Sequence, residues 1–114
     1  MSAPLDESTL EELRASVGGD QAFLAELADE LLADAPRQLE ALRAGLAAGD
    51  AEPVRRAAHT LKGNGRTFGA EELASVSQEL EAAAAAGDLG AAGAKVADLE
   101  AAWERVRPAL ESLR

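Results

Sequence analysis

A single histidine, His59, stands in a chain of 114 residues whose formal net charge is -10. Lys62 and Gly63 follow it at the spacing that makes residues neighbours on a helix surface. Arg55, Arg56 and Arg66 lie close in the chain, and from Pro53 to Phe68 there are four basic residues and no acidic one. That segment therefore carries +4 and the remaining chain -14. Cations gathered round an imidazole attract oxyanions, and phosphate is the common one. A neutral imidazole can attack phosphorus, and nearby positive charge favours the neutral form. Lys62 is placed to stabilise the phosphoramidate that would result.

Other chemistry is excluded by composition. With no Cys there is no disulfide, thiolate zinc site or thiol nucleophile. One His cannot supply a His₂ or His₃ metal site in a monomer, so no metal site is expected. A charge of -10 argues against general binding of nucleic acid or of an anionic membrane. There is no G-x-x-x-x-G-K-[ST] loop and no Asp cluster for magnesium at a strand end. The chain could accept and hold a phosphoryl group, with no means of activating one from ATP and no cofactor expected.

The site must be positioned by helices. Aromatics are few and Ala is abundant, which disfavours strands. Gly19-Asp20, Gly49-Asp50 and Gly87-Asp88 separate long helix-forming stretches. In each pair the Gly can take the left-handed turn that ends one helix, and the Asp can cap the next. A further break is expected at Gly69, before Glu71 and Glu72. The apolar residues between these marks recur in steps of three and four. The spacing predicts an all-α fold: an antiparallel four-helix bundle with a short additional N-terminal helix, one domain over residues 1–114. The short helix is expected at about 8–17 and the bundle helices at about 20–48, 51–68, 70–86 and 88–112. Pro36 and Pro108 interrupt apolar stripes that continue beyond them, so kinks rather than ends are expected there.

At 100° per residue, Val54, Ala57, Ala58, Leu61, Gly65 and Phe68 fall on one side of the third bundle helix. His59 lies about 160° from Leu61, nearly opposite that stripe. Gly63 shares the outer side, where a helical Gly costs about 1 kcal/mol relative to Ala. Two readings stand: Gly63 clears space for another molecule's backbone near the imidazole, or the helix ends near Gly63-Asn64-Gly65 and Gly63 caps it. Gly65, toward the core, is expected to serve close helix packing. Glu81 falls about 80° from Leu73 on the fourth bundle helix, at the core boundary and within reach of a neighbour.

The run His59-Thr60-Leu61-Lys62-Gly63-Asn64-Gly65-Arg66-Thr67-Phe68-Gly69-Ala70 resembles the signature of histidine-containing phosphotransfer (HPt) domains. That pattern is H-x-L-K-G, four variable positions, an apolar residue and Gly-Ala. The resemblance extends to Gly19-Asp20-Gln21-Ala22-Phe23-Leu24, Ala48-Gly49-Asp50 and Leu80-Glu81, and so to nearly the whole chain. It implies that His59 is the phosphoryl acceptor, on Nε2, with Lys62 neutralising phosphoryl oxygens and Gly63 giving steric access. It also implies that Glu81, where the family often has Gln or Glu, orients the imidazole through Nδ1. Asn64 and Gly65 depart from the small Ser or Ala common there. Arg55, Arg56 and Arg66 lie outside the fixed pattern and are candidate partner or phosphate contacts.

The implied function is a phosphorelay intermediate, a carrier rather than an enzyme. It would take a phosphoryl group from a receiver-domain aspartyl phosphate and pass it to another receiver Asp. Its implied partners are response-regulator receiver domains, a hybrid sensor histidine kinase, or both, the receiver bringing magnesium. Direct phosphorylation by a chemotaxis-type kinase is the alternative donor. A helical adaptor with an incidental His, and an enzyme using His59 as a general base, are the remaining alternatives. Thr60 lies about 100° round the helix from His59, which argues against a nucleophile–base pair. The start Met1-Ser2-Ala3-Pro4 lacks a basic, apolar leader, and no stretch approaches a membrane span. A cytoplasmic monomer is expected; a complete chain would favour the free-standing carrier, and a piece of a larger kinase the direct-phosphorylation alternative.

Overall fold

Asp20, Asp50 and Asp88 each cap a helix, as the Gly-Asp punctuation predicts. Their carboxylates accept from the backbone N–H of Phe23 (3.1 Å), Glu52 (3.3 Å) and Ala91 (3.0 Å) respectively. Gly49, Gly69 and Gly87 stand at helix ends with φ of 68°, 71° and 75°, conformations that an L side chain resists. The computed structural model describes residues 4–114, and within them six helices and no strand. Residues 1–3, the start of the expected domain and the Met1-Ser2-Ala3 of the leader reading, lie outside the described residues. The helices are α1 (Glu7–Ser16), α2 (Gln21–Ala48), α3 (Ala51–Phe68), α4 (Glu71–Ala85), α5 (Leu89–Ala94) and α6 (Val96–Glu111).

Helices α2, α3, α4 and α6 form the bundle, each packed on the next, with α6 closing back on α2. The centre is apolar: Leu24, Leu42, Leu61, Leu73, Leu80, Leu99 and Leu110 are fully buried, and Trp103 nearly so. Burial of each such side chain is worth about 1.5–3 kcal/mol relative to exposure, which is what holds otherwise marginal helices together. Ion pairs between helices lie at the rim, among them Arg43–Glu100 (2.8 Å) and Arg105–Glu72 (2.7 Å). Both are largely exposed, so they fix neighbours more than they stabilise.

The single helix expected at 88–112 is divided. Lys95 sits between α5 and α6 with φ -96° and ψ -8°, and its N–H bonds Ala92 O at 3.1 Å in a tighter turn. Gly90 and Gly93 make α5 a weak helix, so the chain breaks there although the apolar spacing Leu89, Ala92, Val96, Leu99 runs on through the junction. At Pro36 and Pro108 the helices continue. α3 runs past Gly63 to Phe68, so Gly63 is an interior residue and the capping alternative fails.

α1 lies across one end of the bundle. The Asp6 N–H donates to Gly69 O at 2.7 Å, and its carboxylate takes the Thr9 N–H at 2.9 Å. Leu5 and Leu10 are buried beneath it. Among the described residues no helix is long and apolar enough to cross a membrane.

Candidate functional site

α3 presents one buried and one solvent face, and His59 is on the latter. Val54, Ala57, Ala58, Leu61, Gly65 and Phe68 are the buried set, as the helical wheel requires. The His59 side chain keeps 62% of its accessible surface. α4 runs antiparallel to α3 from the turn at Gly69-Ala70, which brings Glu81 alongside the imidazole. His59 Nδ1 and Glu81 Oε2 are 2.7 Å apart. The other carboxylate oxygen, Oε1, accepts from Lys62 Nζ at 2.5 Å. Glu81 and Lys62 are each only 17% exposed, so the polar heads meet at the edge of the core while their stems pack inward.

The electrostatics follow from this geometry. The Lys62 hydrogen bond holds the Glu81 carboxyl below the usual carboxylate range; burial opposes that, and the His59 contact adds to it. An ionised carboxylate only accepts. The proton in the 2.7 Å contact is therefore carried on Nδ1. In a neutral ring that leaves the lone pair on Nε2, which makes no hydrogen bond among the described residues.

The arginines differ from one another. Arg55 donates twice to Glu52, at 3.0 and 2.7 Å. Arg66 Nη2 donates to Gln78 Oε1 on α4 at 2.7 Å. Arg56 reaches Glu52 only at 3.8 Å and is 71% exposed, the loosest of the three. The +4 segment is thus partly neutralised by Glu52, just before it in the chain, and by Glu81 across the helix interface. Sequence reasoning missed Glu52 and Gln78. The i,i+3 and i,i+4 spacing of Glu52 to the two arginines was a readable signal; the reach of Gln78 was not.

Gly63 is exposed, and a Cβ built on it meets nothing within 4 Å. Gly65 is the reverse: its Cβ would lie 3.1 Å from Ala74 N and 3.2 Å from Ala70 O. The Thr60 hydroxyl donates to Arg56 O at 3.1 Å, so it is bound to its own helix. None of the main cavities among the described residues is lined by His59, and no group of three or more His, Asp or Glu is placed there to hold a metal ion. A surface imidazole with one nitrogen tied and the other free suits transfer to a docked partner better than turnover of an enclosed substrate.

The Hpt domain family model matches residues 26–109, a span that contains His59, Lys62, Gly63 and Glu81. The chain belongs to the Hpt domain family. Hpt domains are phosphocarriers of two-component phosphorelays, working with histidine kinases and receivers, rather than classical enzymes. The histidine-containing phosphotransfer protein B (HptB) of Pseudomonas aeruginosa PAO1 is similar in structure, with a TM-score of 0.87 and 33% sequence identity. The match covers 98% of this chain and 95% of that one. A search of curated proteins finds no match. This Hpt chain shares the helical bundle of HptB, and its interruption at Lys95 falls within the matched span.

Proposed function

We propose that His59 is the phosphoryl acceptor of a phosphorelay, charged by the aspartyl phosphate of one receiver domain and discharged to the Asp of another. The observation that carries this reading is the pairing of an exposed imidazole with a carboxylate that holds its Nδ1 proton, 2.7 Å away. The Nε2 lone pair attacks phosphorus, and the bond from phosphorus to the aspartyl oxygen breaks. That electron pair returns to the receiver carboxylate. The Nδ1 proton stays shared with Glu81, so no proton has to leave in the transfer step. Return of the group to a second Asp reverses the same sequence. The receiver contributes the magnesium ion and most of the stabilisation of the charge in flight.

Glu81 orients the imidazole in this scheme. Gly63 leaves room for the receiver backbone, consistent with the open space about its α-carbon. Of the arginines, Arg56 is the one with a guanidinium free enough to meet an acidic partner surface. Incubation with a phosphorylated receiver should produce an acid-labile, base-stable label on this chain and none on His59→Gln. Equal labelling of His59→Gln would remove His59 from the role.

A further inference from the structure

Lys62 does not stand free beside His59; its ammonium is already engaged by Glu81 Oε1 at 2.5 Å, and the opposite oxygen of that carboxylate is the one on Nδ1. We infer that Lys62 is a positioning residue, acting on His59 through Glu81 to select the Nδ1–H form of the ring before any phosphoryl group arrives. This rests on His59 being the acceptor, and it gives Lys62 a task in the resting protein that direct contact with a phosphoryl oxygen would not.

The physical argument runs through one side chain. Glu81 sits at the rim of the core, and its carboxylate can serve Nδ1 only if it is ionised and turned so that Oε2 meets the ring. Lys62 does both. Its charge favours the acceptor-only form of the carboxylate. Its hydrogen bond to Oε1 fixes the rotation about the last bond of Glu81, a terminal torsion with a broad and shallow preference of its own. Lys62 is on α3, one turn beyond His59, and Glu81 is on α4. The link therefore leaves α3, crosses to α4 and returns. Arg55 and Arg56, the other cations of that stretch, are directed to Glu52; Arg55 adds charge at a distance from Glu81 but makes no hydrogen bond to it that could fix its rotation. Arg66 is held by Gln78.

The chain has only one His, so the ring nitrogens can be read without assignment ambiguity. In uniformly ¹⁵N-labelled, unphosphorylated protein, long-range ¹⁵N–¹H spectra at a pH where the ring is neutral give the ratio of Nδ1–H to Nε2–H forms. The native chain should favour Nδ1–H. Lys62→Met should lower that ratio roughly two- to tenfold, the range set by freeing one rotamer-rich side chain. Lys62→Arg, which keeps a cation with a reaching donor, should restore most of it. In a Glu81→Met background, where side chain 81 can neither accept from Lys62 nor hydrogen-bond the ring, Lys62→Met should have no further effect on the ratio. Lys62→Gln provides the same comparison should the Met variant fold poorly. An unchanged ratio in Lys62→Met and Lys62→Gln, or an equal drop with and without the Glu81 carboxylate, would overturn the inference. These ratios need no phosphoryl donor, so failure here is distinct from failure of His59 to take a label.

Discussion

Gly63 and Gly65 stand two positions apart on α3 and face opposite surroundings. A Cβ on Gly63 would project into open space, whereas one on Gly65 would press on the α4 backbone at 3.1 Å from Ala74 N. The same residue type is present for unrelated reasons, and the difference can be measured.

Replacing Gly63 should separate stability from transfer. Gly63→Ala should raise the folding stability of the isolated chain by up to about 1 kcal/mol, since an exposed helical Gly is replaced without a clash. Gly63→Leu should also fold, yet slow phosphoryl transfer with a receiver by at least about tenfold, through loss of close approach. Denaturant melts and transfer rates on the same preparations check both parts. A Gly63→Leu protein that transfers at the native rate would show that the clearance is unused.

Gly65→Ala should do the reverse. The atoms in the way, Ala74 N and Ala70 O, belong to the backbone and cannot rotate aside. Overpacking costs about 1–3 kcal/mol, more than the roughly 1 kcal/mol of helix propensity gained. A lower melting temperature is expected, with a disturbed His59–Glu81 contact because α3 and α4 are forced apart. Stabilisation by Gly65→Ala would contradict the close packing.

Glu81 should make stability depend on acid. Its carboxyl is held below the usual range, chiefly by Lys62. A carboxyl with a depressed folded-state value contributes stability above its unfolded value and loses it as pH falls through the folded one. The native chain should therefore exceed Glu81→Gln in stability near neutrality. The gap should close as pH drops below the ordinary carboxylate range. Asp6 and Glu52 are also lowered, by Thr9 and Arg55, but they are present in both proteins and cancel in the difference. Urea melts from about pH 7 to about pH 2 test this; a gap that does not change with pH would refute it.

Ser77 is fully buried on α4, and its hydroxyl has no hydrogen-bond partner among the described residues. A buried unpaired polar group costs free energy that a methyl group does not. Ser77→Ala should stabilise the chain by roughly 1 kcal/mol, with His59 labelling unaffected. Destabilisation would reveal a partner for the hydroxyl.

The helices and their ends were legible because their determinants are local. A Gly-Asp pair carries its own turn and cap, and an apolar stripe needs only its own spacing. His59 on the outer side of α3 could be read in the same way, as could the inward turn of Gly65. Two things could not. The division at Lys95 depends on how α5 fits against α4 and α6, because neither Gly90 nor Gly93 alone forces a break. The charge pattern round His59 misled in part: a +4 segment counted along the chain ignores Glu52 just outside it and Glu81 brought in by packing. The engagement of Lys62 belongs to the α3–α4 register, which no single-helix projection contains.

That register has a fastening at the end of the bundle. Gly69 closes the turn between α3 and α4, and the Asp6 N–H holds its carbonyl at 2.7 Å. A Cβ there would strike Thr9 Cβ at 2.9 Å and Asp6 Cβ at 3.0 Å. A slip of one residue between α3 and α4 would shift His59 along Glu81 by about 1.5 Å, enough to part a hydrogen bond. The short α1 works as a latch on a hinge pin: it makes no chemistry itself, yet it sets the gauge within which a proton is shared between two helices.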